Sequence, residues 1–62
     1  MNIKEALKVA IQEERDAMNN YTQLALEVAD PETRIMLEQI AKEEAVHLKK
    51  LKERLKAISL VE

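Results

Sequence analysis

Apolar residues in the first half of the chain recur at alternating spacings of four and three. The positions are Ile3, Leu7, Ala10, Ala17, Leu24 and Val28, broadened by Ile11, Met18 and Ala25. That rhythm belongs to a helix with one face turned toward a core. Asn2 precedes it, with Glu5 three residues later, the pairing of an N-terminal capping box. The pattern predicts a helix over about residues 3–28. The one break is Asp30-Pro31. It reads as a capping aspartate followed by proline at the first helical position, where the missing N–H has no helical partner to lose. A second stripe of Leu37, Ala41, Leu48, Leu51, Leu55 and Ile58, flanked by Ile40, predicts a second helix over about residues 31–58.

So short a connection forces the helices antiparallel and adjacent. The expected fold is all-α: an antiparallel two-helix hairpin forming one domain over residues 1–62. Such a layer has a sticky face and no closed core. Pairing two hairpins into a four-helix bundle buries it, so the chain is expected to be an obligate homo-oligomer, a dimer or larger. Composition agrees. There is no glycine, a single proline, and no cysteine among 62 residues. A chain this short usually needs disulfides, a metal or a partner to be stable. Without cysteine, a carboxylate and histidine metal site, an oligomer, or both remain.

Both stripes carry an interruption of the same kind. In the first helix the rhythm runs Ala10, Glu14, Ala17, Tyr21, so a glutamate holds a core position. In the second it runs Ala41, Glu44, Leu48. His47 lies one turn beyond Glu44 on the flank of that face, in line with Ile40. A carboxylate in a core costs several kcal/mol unless it is paired or metal-bound. Glu14 and Glu44 each stand about 15 residues from the turn, about 22 Å at 1.5 Å per residue, and so at one height. A two-fold axis that sets the loops at opposite ends would bring two copies of the trio together. Four glutamates and two histidines would then surround one cavity, the donor set of carboxylate-bridged di-iron and di-manganese bundles. Their four negative charges match two divalent ions. Iron is the expected metal, and manganese or zinc suit the same donors.

The signals differ in weight. With ten glutamates in the chain, a Glu-x-x-His spacing alone is weak. A lone helix-flank histidine is usually a surface or packing residue. Two core glutamates at equal height, with the only histidine beside them, reverse that balance. Tyr21 lies two turns from Glu14 on the same seam, where it is either an amphipathic core residue or a donor that orients a ligand carboxylate. Glu13, Asp16 and Glu43 point off the seam and read as a solvated face or as an acidic path for Fe²⁺. The basic run Lys49, Lys50, Lys52, Arg54 and Lys56 suits the carbonyl end of a helix. The net charge of −2 argues against a nucleic-acid partner. No stretch is long and apolar enough for a membrane span, and no signal-peptide pattern is present, so the expected location is cytoplasmic.

The run Glu13-Glu14-Arg15-Asp16-Ala17, then Tyr21, then Asp30-Pro31-Glu32, then Glu43-Glu44 and His47 resembles the ferritin-like superfamily. It resembles most closely the encapsulated ferritins, half-ferritin subunits that complete an iron site on dimerising. The resemblance spans about residues 13–55 and implies a ferroxidase centre. Glu14 and His47 would be terminal ligands, Glu44 a bridging one, and Tyr21 would act from outside the ligand set. Glu13 and Asp16 match acidic positions of an iron entry site. An encapsulin shell is the implied partner and compartment. Asn20 departs from the pattern, standing where that family often has an aromatic residue. Rubrerythrins share the Glu, Tyr and Glu-x-x-His signature, usually beside a cysteine-ligated iron. The expected activity is oxidation of Fe²⁺ by O₂ or peroxide for iron storage or detoxification. The alternatives are an erythrin-type peroxide scavenger and a non-enzymatic interaction hairpin.

Overall fold

The computed structural model describes residues 1–61 and contains two helices, α1 over Ile3–Glu27 and α2 over Pro31–Val61. The capping residues act as the sequence predicts. The Glu5 N–H donates to Asn2 Oδ1 at 2.8 Å, fixing the start of α1. The return bond differs from the usual box, in which the glutamate accepts from the backbone N–H of the cap residue. Here Asn2 Nδ2 donates to Glu5 Oε1 at 3.2 Å. At the start of α2, Asp30 Oδ2 accepts from the Thr33 N–H at 2.9 Å and from the Thr33 hydroxyl at 2.6 Å. Those two bonds hold the Asp30 carboxyl below its ordinary pKa, the hydroxyl bond contributing most.

Two boundaries shift from expectation. Helix α1 stops at Glu27, one residue earlier than expected, with Val28 in extended conformation and its N–H still donating to Leu24 O at 3.1 Å. Helix α2 runs three residues beyond Ile58, because Ser59-Leu60-Val61 holds neither glycine nor proline to end it.

The hairpin is a layer, measuring 48 × 17 × 11 Å. Its radius of gyration is 14.4 Å, against about 10.6 Å for a compact domain of this length. Among the described residues only Ile11, Ala25, Ala41 and Ile58 are buried. Ala25 and Ala41 are small side chains, which suits close approach of the two helices. The rest of the stripes is half-buried except at Ile3, which is 62% exposed, and Leu24, which is 45% exposed. Among the described residues, no helix is long and apolar enough to cross a membrane.

Candidate metal centre

Glu14 comes from the middle of α1, and Glu44 and His47 from the middle of α2. Equal distance from the loop brings the three together as the spacing predicts. His47 Nδ1 lies 3.4 Å from Glu14 Oε2 and 3.7 Å from Glu44 Oε1. One donor atom from each residue falls within 4.8 Å of the others. Among the described residues no other group of three or more His, Cys, Asp or Glu side chains is arranged to hold a metal ion.

Exposure is graded across the trio. The Glu44 side chain is 18% exposed, Glu14 27% and His47 54%. Both glutamates are therefore half-buried in one hairpin, and the imidazole lies open on the flank. Glu14 Oε2 is itself buried and has no hydrogen-bond partner. A buried carboxylate oxygen without a partner carries its full desolvation cost. His47 Nδ1, 3.4 Å away, stands at ion-pair distance but makes no hydrogen bond to it.

Glu44 shows the same strain electrostatically. Its carboxyl is pushed above the ordinary glutamate value, first by a hydrogen bond with the Glu14 carboxyl, then by burial, then by the Glu14 charge. Glu43 pushes in the same direction, and His47 opposes it. Two ionised carboxylates held this close repel each other. A divalent cation would satisfy both at once. Two carboxylates and an imidazole are a donor set for iron, manganese or zinc. The orphaned oxygen between them is the feature such an ion would remove, so the residues present fit a metal.

The other sequence candidates lie around this cluster. Tyr21 is half-buried on the seam. It lies seven residues from Glu14, about 10.5 Å along the helix, and among the described residues its hydroxyl is not hydrogen-bonded to the trio. Glu13 and Asp16 are exposed, and Asp16 accepts a bond from Gln12 Nε2 at 2.8 Å. Among the described residues the cluster gains no ligand-type side chain that sequence reasoning had missed. No curated protein and no solved structure matches the chain. The family model for rubrerythrin matches residues 1–61, and the chain belongs to that family, which includes di-iron oxidoreductases.

Proposed function

We propose that the chain is a ferroxidase that oxidises Fe²⁺ to Fe³⁺ at a di-iron site assembled from two copies of the hairpin, in the service of iron storage or detoxification. The supporting observation is the buried, unpartnered Oε2 of Glu14, set beside Glu44 and His47 on a face that the single chain leaves open. Three donors are half of a six-donor set. A second copy supplies the other three and excludes water from both.

In this reading Glu14 and His47 each bind one Fe²⁺, and Glu44 is shared between the two ions. The four glutamates of a pair match the charge of two Fe²⁺, so loading offsets the repulsion among them. Fe²⁺ is the substrate. Each ion gives up one electron, and a pair reduces O₂ to hydrogen peroxide with uptake of two protons. The protein contributes position, charge balance and access. Glu13 and Asp16, exposed beside Glu14, form the acidic approach. Tyr21 orients a ligand carboxylate from one side.

Membership in the rubrerythrin family favours a second reading, a peroxide scavenger that returns to Fe²⁺ with electrons from a donor. These 62 residues contain no cysteine to hold a second iron, so that donor would lie outside them. Anaerobic Fe²⁺ titration followed by O₂ tests the first reading: about one Fe²⁺ per chain should bind and oxidise once. Sustained peroxide turnover that depends on added reductant would replace it with the second. Absence of Fe²⁺ binding would end both. Packaging in an encapsulin shell belongs to this proposal too, and cytoplasmic residence with it. Co-expression with a shell protein tests both.

A further inference from the structure

The layer has a second side, and its chemistry differs from that of the trio. Near the loop lies a depression of about 380 Å³ lined by Thr22 and Leu26 of α1 and by Arg34 and Lys42 of α2, with Ala25 and Ala41 in its floor. Ala45 joins it to a depression of about 300 Å³ farther along α2, lined by Leu48, Lys49, Lys52 and Lys56. Together they form a groove from Arg34 to Lys56, about 33 Å at 1.5 Å per residue.

Helical phase sets this groove away from the trio. At about 100° per residue, Thr22 and Leu26 stand about 80° and 120° round α1 from Glu14. On α2, Arg34, Ala45 and Lys49 stand about 80° to 140° round from Glu44, while His47 lies about 60° the other way. A second copy seated on the trio therefore leaves the groove open. Nothing in the groove depends on what binds at the trio.

Charge and exposure mark it out. The chain carries a net −2, yet five of its ten basic residues line the groove against two of its twelve acids, Glu38 and Glu53, a local net of +3. Lys8 and Arg15 extend the row on α1, both exposed and in line with Thr22 at intervals of seven. Among the described residues the structure pairs none of Arg34, Lys42, Lys49, Lys52 and Lys56 with a carboxylate. Between these rims the surface is apolar. Leu26 is 78% exposed at one wall, and Ala25 and Ala41, at 5% and 8%, keep the floor free of bulk.

We infer that this groove docks an acidic amphipathic helix of another protein, its apolar ridge on Leu26 and the alanine floor and its carboxylates on the basic rims. Two packed helices seat a third at the same spacing of about 8–10 Å. A second copy in two-fold contact here would set identical basic rims against each other. Nucleic-acid phosphates gain nothing from an apolar floor, and the chain's one aromatic, Tyr21, lies on the trio side, where it cannot stack a base in the groove. A flat lipid surface reaches the lysines but not the recessed Ala25 and Ala41.

A fluorescein-labelled peptide of about 22 residues, the length of the groove, tests this, with Leu and Ala recurring every third and fourth residue and Glu on both flanks. Fluorescence anisotropy with the intact protein should show saturable binding of one peptide per chain, with a gain of helical circular dichroism. Lys49→Glu with Lys52→Glu turns the groove's net charge from +3 to −1 and should weaken binding about tenfold or more. Leu26→Gln leaves the charge alone and should weaken it about tenfold through lost apolar contact. Fe²⁺ uptake should be unchanged in both variants, whose altered side chains are exposed and outside the trio. A scrambled peptide of the same composition, offered to the unmodified protein, should bind about tenfold more weakly or worse. Equal binding of the scrambled peptide, or indifference to Leu26→Gln, would reduce the groove to a charged surface and overturn the inference. So would absence of saturable binding, or tighter binding of duplex DNA or of phosphatidylserine vesicles. A larger assembly that falls back to the dimer on the two lysine reversals would give the groove to a second copy and overturn it as well.

Discussion

Placing a charge on the site face away from the metal ligands tests the open layer most directly. Ala10 lies four residues before Glu14 on the same seam and is half-buried. Its replacement by glutamate removes no core volume from the hairpin, whose buried residues are Ile11, Ala25, Ala41 and Ile58. In a pair, the new carboxylate would be trapped between the layers with no cation facing it. An unpaired charge at such a place costs about 2–3 kcal/mol after partial snorkelling. Symmetry repeats the cost, giving about 4–6 kcal/mol for the dimer, or about 10³ to 10⁴ in its dissociation constant. Sedimentation velocity across a concentration series, with helicity followed in parallel, reads this out. The unmodified chain should sediment as a dimer, with a melting temperature that rises with concentration. Ala10→Glu should dissociate in the micromolar range, with loss of helix as the exposed face is left uncovered. If Ala10→Glu dimerises within tenfold of the parent, the face containing Ala10, Glu14 and Tyr21 is not where the second copy sits.

Other expectations follow from the trio and its surroundings. Glu44→Ala should abolish paired metal uptake, measured by titration with Fe²⁺, while leaving the metal-free dimer as stable as before or more so, because it removes two like charges from a crowded site. A metal-free dimer that falls apart on this change would refute the crowding of carboxylates. The Glu44 carboxyl is held above its ordinary value, so its contribution to stability is complete at pH below that ordinary value and is lost as pH rises through the raised one. Thermal melts of metal-free protein should therefore show higher stability on the acid side of that interval than at neutral pH. Asp30 works in the opposite sense, its contribution lost only as pH falls through a lowered value. Metal-loaded protein should lose stability on acidification, because protons displace the ion. Tyr21→Phe should weaken metal binding or slow Fe²⁺ oxidation by about 10- to 100-fold while leaving the helices intact. Unchanged binding and rate would return the tyrosine to a packing role.

Local chemistry made the hairpin legible. Asn2 with Glu5, and Asp30 followed by Pro31, are signals acting over three residues or fewer; both caps accept the helix N–H bonds they announce, and only the return bond of Glu5 goes to the Asn2 side chain instead of its backbone. The meeting of Glu14, Glu44 and His47 was also legible, because an antiparallel hairpin turns equal distance from the loop into equal height. The end of α2 was less so. The apolar rhythm stops at Ile58, yet nothing in Ser59-Leu60-Val61 opposes another turn, so the backbone continues to Val61. Graded exposure within the trio lay beyond the sequence as well. Pattern alone gave Glu14 and Glu44 a common core position. The half-burial of both, and the open flank occupied by His47, depend on how closely one layer packs before anything covers it.

Native mass spectrometry of the protein loaded anaerobically with Fe²⁺ tests the central claim in one measurement. A site shared by two hairpins predicts a dimer carrying two metal ions, with the metal lost when Glu14 or His47 is replaced. A monomer that binds one ion, or a dimer that binds none, would contradict it.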